Sequence, residues 1–138
     1  MASNVLVIDD SLTVRAIIEQ LLDGERDLRV VGSADSVASA RALIDQTVPS
    51  VITLDLAMPG VDGLAFLDEL GGRPHAPVLV VSSHTTEGSP AAAEALSRGA
   101  FACFDKARLV RCGSEFTAAV RAALAGAVAS SIALRQAS

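Results

Sequence analysis

Short continuous runs of apolar residues alternate along the chain with segments in which apolar residues recur every three or four positions. Five runs predict strands, at residues 5–8, 28–32, 51–54, 78–81 and 101–104. The first and the fourth consist wholly of Val, Leu and Ile, which is typical of parallel strands that are buried on both faces. Helical spacing lies between the runs. The sequence therefore predicts repeated strand–helix units, an α/β domain built around a parallel sheet.

The helical spacing is clearest after the first strand. Ser11 is the predicted N-cap and Gly24 the stop, and the apolar positions between them follow the helical period: Val14, Ile17, Ile18, Leu21 and Leu22. Four further helices are predicted: residues 36–46, a short helix through Leu64, Leu67 and Leu70, residues 89–98 with Pro90 at the first position, and a last helix capped by Ser114.

The last helix has an apolar stripe that is longer than the crossing of one small sheet requires. The stripe recurs every four residues: Phe116, Val120, Leu124, Val128 and Ile132. A plain core helix explains its first half, and the part beyond Leu124 suggests a homodimer or partner surface. Residues 116–134 are long enough to cross a bilayer, but Arg121 near the middle makes insertion costly. We expect no membrane segment.

Composition narrows the class of protein. A chain of 138 residues with 51% hydrophobic residues is long enough to bury one core, and no second domain is visible. The net charge of −5 argues against nucleic acid as a partner. Cys103 and Cys112 match no zinc or redox spacing. Because residues 4–8 are too short for a signal peptide, we expect a reducing, cytoplasmic location.

Polar residues collect at the carboxyl ends of the predicted strands, where open parallel sheets bind their ligands. The set comprises Asp9 and Asp10 after the first strand, Asp55 after the third, Ser82 and Ser83 after the fourth, and Lys106 after the fifth. Three carboxylates at one edge resist joint ionisation unless a cation lies between them. Mg²⁺ suits a site that has few carboxylates and leaves room for phosphate oxygens.

These residue types are the parts of a phosphoryl-transfer site. Asp55 is a candidate nucleophile, because carboxylates form aspartyl phosphates. Mg²⁺ and the Lys106 ammonium would offset the charge of the transferring group. Ser82 would donate a hydrogen bond to a phosphoryl oxygen while Ser83 caps the loop, and the choice between the two serines is close.

Each of these residues also has a plainer interpretation. Asp9 and Asp10 would serve as the turn and N-cap pair that opens the first helix. Asp55 could cap the turn at residues 58–60, and Lys106 could be an ordinary surface lysine. All four residues follow predicted strands whose carboxyl ends share one edge of the sheet. Their joint occurrence there favours the phosphoryl-transfer interpretation over the plainer ones.

Four segments resemble the motifs of response-regulator receiver domains: VLVIDDS at 5–11, TLDLAMPGVDG at 53–63, VLVVSS at 78–83 and GAFACFDK at 99–106. Four motifs in the family's order make the match specific. The resemblance covers residues 4–106, and the order of strands and helices extends it to about residue 125. The receiver of the chemotaxis methylesterase has similar TLD-x-x-MP-x-x-DG and VSS segments.

This resemblance implies a flavodoxin-like, doubly wound sheet of five parallel strands in the order 2-1-3-4-5, flanked by five helices. Residues 1–129 would form the receiver domain and residues 130–138 a helical extension or tail. The roles implied position by position are the phosphoacceptor Asp55, the acidic pair Asp9 and Asp10 around Mg²⁺, the Ala57 carbonyl oxygen as a further metal ligand, the switch hydroxyl of Ser82 and the phosphate-sensing Lys106.

The resemblance also implies partners. A histidine kinase or a histidine phosphotransfer protein would donate the phosphoryl group. Phosphorylation would alter the surface of the fourth helix, fifth strand and fifth helix, which would then contact a downstream protein that the sequence does not identify. Apart from its own phosphorylation and slow dephosphorylation, the chain would not be an enzyme.

Two positions depart from the family pattern. Ala107 stands where the family has a proline in a cis peptide, and Cys103 stands where it has an aromatic switch residue. Phe101 and Phe104 are the nearest aromatic residues, but strand alternation places only one face's residues to substitute. Asp55 would therefore be phosphorylated in the usual way, but the conformational change that follows would not use the family's aromatic residue. These departures also keep open a pseudo-receiver that binds partners without phosphorylation.

Two variable positions flank the predicted phosphorylation site. Ala57 has no side chain that could orient or block a water, whereas His84 would contact the phosphoryl group or its water and so change the dephosphorylation rate. Ala57 also argues against a Mg²⁺-dependent phosphatase with an aspartate nucleophile. Such an enzyme needs a second Asp two residues after the nucleophile, and that position is Ala57 after Asp55 and Ser11 after Asp9.

Overall fold

A five-stranded parallel sheet forms the centre of the protein, in a computed structural model that describes residues 2–58, 60, 62–71, 76–83 and 88–137, with side chains described to residue 126. The strands are β1 (Ser3–Ile8), β2 (Leu28–Ala34), β3 (Val51–Leu54), β4 (Val78–Ser82) and β5 (Ala102–Asp105), in the order β2-β1-β3-β4-β5. All four pairings are parallel. The predicted strand order is confirmed.

Five α-helices connect and cover the strands: α1 (Leu12–Asp23), α2 (Val37–Thr47), α3 (Gly63–Gly71), α4 (Pro90–Ser97) and α5 (Gly113–Ala137). A short 3₁₀ turn, Lys106–Arg108, lies between β5 and α5. The doubly wound α/β class predicted from the sequence is therefore confirmed.

The central strands β1, β3 and β4 are buried on both faces over most of their length, which explains their continuous apolar runs. In β1, Leu6 and Ile8 face a core cluster that also contains side chains of α2, α3 and α4. Val5 and Val7 face a second cluster with side chains of α1 and α5. Because successive side chains of a strand point to opposite faces, a strand between two helical layers is buried at successive positions and is therefore mostly apolar.

Serine side chains begin three of the helices. The Oγ atoms of Ser11, Ser36 and Ser89 accept hydrogen bonds from the amides of Val14, Ser39 and Ala92. The predicted caps at Ser11 and Ser89 are confirmed. At the other end of α4, Gly99 has a φ of +104°, which favours glycine and ends the helix where predicted.

The predicted start of the last helix is wrong. α5 begins at Gly113, and the carbonyl oxygen of Cys112 accepts the amides of Glu115 and Phe116, so Ser114 lies inside the first turn. The reason is the close packing of α5 on α1. A Cβ atom at Gly113 would lie 2.5 Å from Leu21 Cδ2, so a residue without a side chain suits the first position of the helix.

α5 continues as a helix beyond residue 126, where the described side chains end. A Cβ atom at Gly126 would lie 2.4 Å from the Phe101 ring, and the helix continues to Ala137. Val128 and Ile132, in the predicted stripe, lie outside the described side chains. The helix continues through residues 129 and 130. The predicted domain boundary between these two residues stays a prediction. In the described part of the chain, no helix is both long enough and apolar enough to cross a membrane.

Candidate functional site

Three carboxylates meet at the carboxyl edge of the sheet. Asp9 and Asp10 follow β1, Asp55 follows β3, and one oxygen from each lies within 4.8 Å of the others. Asp9 and Asp55 are 1% and 2% exposed, whereas Asp10 is exposed. We call these three residues the acidic cluster. The structure therefore brings together the acidic residues that the sequence predicted to be neighbours.

The sheet itself positions the two buried carboxylates. The Asp9 amide donates to Ala34 O at 3.0 Å, and the Asp55 amide donates to Ile8 O at 2.9 Å, so each aspartate continues the ladder one step beyond its strand. Because β1 pairs with β3, with Ile8 opposite Leu54, the two side chains emerge side by side. Strand pairing alone thus explains why residues distant in sequence meet here.

Each buried carboxylate is also fixed by its own loop. Asp9 Oδ1 accepts the Ser11 amide at 2.8 Å, and Asp55 Oδ1 accepts the Ala57 amide at 3.0 Å. Aspartate side chains commonly accept an amide two residues on in this way. These bonds occupy both Oδ1 atoms, which leaves the two Oδ2 atoms to face the rest of the site.

Lys106 supplies a cation between the buried carboxylates. Its Nζ lies 2.9 Å from Asp9 Oδ2 and 3.0 Å from Asp55 Oδ2, and its side chain is 20% exposed. Burial alone would lower the pKa of Lys106, but its contacts with the two carboxylates outweigh burial and raise that pKa. The amine therefore stays protonated at neutral pH.

Asp9 has the environment of a metal ligand. Burial raises the pKa of Asp9, while the Ser11 amide and Lys106 oppose that rise. Its Oδ2 forms an ion pair with Lys106, but within the described residues no well-directed hydrogen bond reaches that atom. With every group ionised, three carboxylates and one ammonium leave a net charge of −2. A hard divalent cation with oxygen ligands fits this donor set.

Ser82 lies at the last residue of β4 and is fully buried, while Ser83 is exposed. In the β4–β5 register, Ser82 is opposite Asp105, the residue that directly precedes Lys106. The predicted role of Ser82 in sensing phosphate stays a prediction.

The other predicted site residues lie around this edge. Ala57 is exposed, and its amide holds Asp55; its carbonyl as a metal ligand stays a prediction. His84 lies outside the described residues. Ala107 lies in the 3₁₀ turn, where its amide donates to Asp105 Oδ1 at 3.0 Å. The loop after β5 is thus stabilised by an aspartate cap at the position where the sequence lacks the family's proline.

Cys103 is half-buried on β5 and its Sγ lies 3.9 Å from the carbonyl oxygen of Ala92 on α4. A groove of about 470 Å³ runs along this side of β5 and is lined by Ala92, Leu96, Phe101, Cys103 and Arg108 among others. Phe104 points to the opposite face, where its ring meets Phe116 edge-on at 5.4 Å. Phe101 is 41% exposed and packs beside Gly126. Phe104 therefore does not replace an aromatic residue at position 103, whereas Phe101 lines the same groove as Cys103.

Sequence reasoning missed Arg15. Its Nη1 donates to the carbonyl oxygen of Asp9 at 2.7 Å, so a helix residue is tied to the loop that carries two members of the acidic cluster. The only sequence signal is its spacing, since a residue four positions after the N-cap Ser11 lies above that loop.

Known proteins share these features. The sequence profile of the response regulator receiver domain matches residues 5–110. A protein-glutamate methylesterase/protein-glutamine glutaminase 2 of Pseudomonas aeruginosa is 44% identical over 109 residues, which are 79% of this chain and 31% of that protein. The corresponding protein of Agrobacterium fabrum is 43% identical over 104 residues, 75% of this chain and 30% of that protein. The chain thus spans less than a third of the length of these relatives.

Solved structures agree with the sequence relatives. The response regulator domain of Thermotoga maritima CheB has a TM-score of 0.83 at 30% identity, covering 90% of this chain and 97% of that chain. A complex of the P1 domain of CheA3 with CheY6 from R. sphaeroides gives a TM-score of 0.76 at 31% identity, covering 89% of this chain and 97% of that chain. The sheet order, the acidic edge and these likenesses together lead to one conclusion: the chain belongs to the response regulator receiver domain family of two-component and chemotaxis signalling.

Proposed function

We propose that this protein is a signalling switch in which Asp55 accepts a phosphoryl group from a phosphohistidine donor, with Mg²⁺ bound beside it. The observation that supports this most directly is the contact of the buried Asp55 carboxylate with the Lys106 ammonium, next to Asp9 and Asp10. A carboxylate nucleophile, a metal-binding acidic pair and a fixed cation are the parts that phosphoryl transfer needs.

Asp9, Asp10 and Asp55 would hold the metal, with the Ala57 carbonyl oxygen as a further ligand. When bound, Mg²⁺ would offset negative charge on the transferring phosphoryl group. The buried Asp9 Oδ2 lacks a directed hydrogen bond within the described residues and has only the Lys106 ion pair, which supports it as a ligand for such a cation. Mg²⁺ keeps several waters, which matches the exposure of Asp10 at the rim of the site.

In the transfer step, a carboxylate oxygen of Asp55 attacks phosphorus, an O–P bond forms and the N–P bond to the donor histidine breaks. Lys106 then pairs with a phosphoryl oxygen in place of the carboxylate oxygen that it contacts at 3.0 Å. Ser82 donates its hydroxyl hydrogen to another phosphoryl oxygen. Both contacts exist only after transfer, so they give the phosphorylated state an arrangement of β4 and β5 different from that of the free state.

The phosphorylated protein would bind its downstream target through the surface beside β5. Cys103 replaces the family's aromatic residue and lines the groove between α4 and β5, so the report of phosphorylation follows a modified route there. A pseudo-receiver that ignores phosphate is disfavoured by the complete set of acidic residues and Lys106. A phosphatase is disfavoured because Ala57 cannot serve as a general acid.

The complex of CheY6 with the P1 domain of CheA3 supports a histidine kinase or histidine phosphotransfer protein as the donor for this chain. Such donors act in the cytoplasm, where we place this protein. Its downstream target and any homodimer through α5 are further parts of the proposal.

Intact-mass measurement after incubation with acetyl phosphate and Mg²⁺ tests the phosphoacceptor directly. Wild-type protein should gain the mass of one phosphoryl group, and Asp55→Asn should gain none because its amide is not a nucleophile. Asp62→Asn is a matched control, since Asp62 caps α3 through the amides of Leu64 and Ala65 and should not alter labelling. Labelling of Asp55→Asn, or none of the wild type even with a phosphohistidine donor, would exclude the proposal.

A further inference from the structure

Arg15 lies beside the acidic cluster, and the proposed phosphoryl transfer gives it no role. It is half-buried on the second turn of α1 and its Nη1 lies 2.7 Å from the carbonyl oxygen of Asp9. Side chains on a helix lean toward its N-terminus, so a residue at this position reaches back over the loop between β1 and α1. A guanidinium bond to a carbonyl at this distance is short and charge-assisted.

The bond falls on the peptide group that joins Asp9 to Asp10. The Asp9 amide is held by Ala34 O, and the Asp9 side chain is held by the Ser11 amide. The carbonyl is the remaining polar group of Asp9, and Arg15 fixes it. Its orientation sets the direction in which the chain continues, and hence the point from which the Asp10 side chain leaves the backbone.

Asp10 depends on that backbone for its position. It is exposed, and within the described residues no hydrogen bond holds its carboxylate, unlike those of Asp9 and Asp55. Metal ligands generally need outer groups that orient them, and loss of such a group weakens metal binding. Arg15 is placed to be that group for the acidic pair.

We propose that Arg15 is a positioning residue for the divalent-cation site: it fixes the Asp9–Asp10 peptide so that both carboxylates face one ion. The inference rests on the proposed function, because it requires Mg²⁺ at the acidic cluster. The inference predicts the direction in which the Mg²⁺ affinity changes when Arg15 is replaced. If Arg15 acted only through its charge, removing that charge would tighten Mg²⁺ binding to a cluster whose net charge is already negative. If Arg15 positions the peptide, its loss weakens binding.

Titration of Mg²⁺ against the unphosphorylated full chain, followed by calorimetry and by amide NMR shifts, separates these two effects. Arg15→Met keeps much of the length and removes the donor and the charge, and we expect its dissociation constant to rise by roughly 10-fold, as for other outer-shell partners. Arg15→Lys keeps a positive charge on a shorter side chain without the planar guanidinium. Its dissociation constant should lie between those of Arg15→Met and the wild type. Arg29→Met is the matched control, because Arg29 lies near the start of β2, where it donates to Asn4.

Weaker binding in Arg15→Met, partial rescue in Arg15→Lys and wild-type binding in Arg29→Met would support the positioning role. Equal or tighter binding in Arg15→Met, with an unchanged urea midpoint, would overturn it. Should Arg15→Met not fold, Arg15→Lys decides: a raised dissociation constant with shifted Asp10 and Ser11 amides supports the role, and an unchanged constant overturns it. Absence of Mg²⁺ binding by the wild type would overturn the metal site itself, which distinguishes failure of the proposed function from failure of this inference.

Discussion

The Lys106 ammonium lies 3.0 Å from Asp55 Oδ2, although β3 and β5 are not neighbours and β4 lies between them. Two strand spacings, about 10 Å, separate β3 from β5, and the side chains of Lys106 and Asp55 together span that distance. It also contacts Asp9, so one cation links the ends of three strands. Lys106 thereby offsets the mutual repulsion of the carboxylates in the absence of a metal.

Lys106→Met should therefore destabilise the metal-free protein. Removing one partner of a buried ion pair leaves uncompensated charge, and because Lys106 is partly exposed we expect a loss of about 2 kcal/mol rather than the 3–5 kcal/mol of a fully buried pair. Saturating Mg²⁺ should recover much of this loss, since it supplies another cation to the same carboxylates. Urea unfolding with and without Mg²⁺ measures both values. Equal losses in the two conditions would show that Lys106 does not act on the acidic cluster.

Val48 ends α2 in a left-handed conformation, with a φ of 46° and a ψ of 68°. This conformation is unfavourable for a β-branched residue and free of steric cost for glycine. Val48 is highly exposed, so its replacement loses little packing. Val48→Gly should raise the free energy of unfolding by about 1 kcal/mol, measured by urea denaturation. Val48→Ala, which keeps the Cβ atom, is the control and should change stability much less; a less stable Val48→Gly would contradict the expectation.

An exposed ion pair between α5 and the loop before β2 should make stability depend on acid. Arg121 donates two hydrogen bonds of 2.9 Å to Asp27, which lower the pKa of Asp27 from 3.8 to about 2. Because the folded-state pKa is the lower one, the contribution of this pair is complete above 3.8 and is lost as the pH falls toward 2. Asp27→Asn should thus have a slightly lower urea midpoint than the wild type near neutral pH.

The difference between Asp27→Asn and the wild type should shrink as the pH falls below the ordinary aspartate pKa, and added salt should reduce it because the pair is exposed. Glu25→Gln is the control, since it removes a charge that lies 3.2 Å from Arg121 and keeps the Asp27 hydrogen bonds. A difference that stays constant with pH would refute the assignment of this pair.

Cys103 offers a direct probe of the modified output route. The chain contains no Trp or Tyr, so Cys103→Trp introduces a single strong fluorophore beside the groove along β5. Acetyl phosphate with Mg²⁺ should change its emission, because the proposed contacts of Ser82 and Lys106 rearrange β4 and β5. The change should be absent when Asp55→Asn is added. Confirmed labelling of Asp55 without any change in emission would show that phosphorylation does not reach this side of β5.

The sequence predicted the sheet and the acidic edge for the same physical reason. Continuous apolar runs mark strands buried on both faces, and the carboxyl ends of parallel strands must share one edge. Asp9 and Asp55 follow such a run directly, and Lys106 follows one after Asp105, so their meeting required no knowledge of side-chain contacts. The burial of Ser82 likewise follows from its place at the end of a buried strand.

Other features depend on contacts between distant elements and were not predictable in this way. α5 starts one residue before Ser114, at Gly113, where the Cys112 carbonyl accepts the amides of Glu115 and Phe116 and the backbone packs close to Leu21. The role of Arg15 depends on the path of the loop before α1, which no local pattern specifies. The orientations of Phe101 and Phe104 depend on the position of α5 beside the edge strand.

The unbroken course of α5 fixes the rotational phase of its far end. The helix packs on Phe101 at Gly126 and continues to Ala137. At 3.6 residues per turn, each residue inserted after Gly126 would rotate the distal turns by about 100° and advance them by about 1.5 Å relative to the sheet. The face that each distal turn of α5 presents is therefore set by the number of residues between that turn and Gly126.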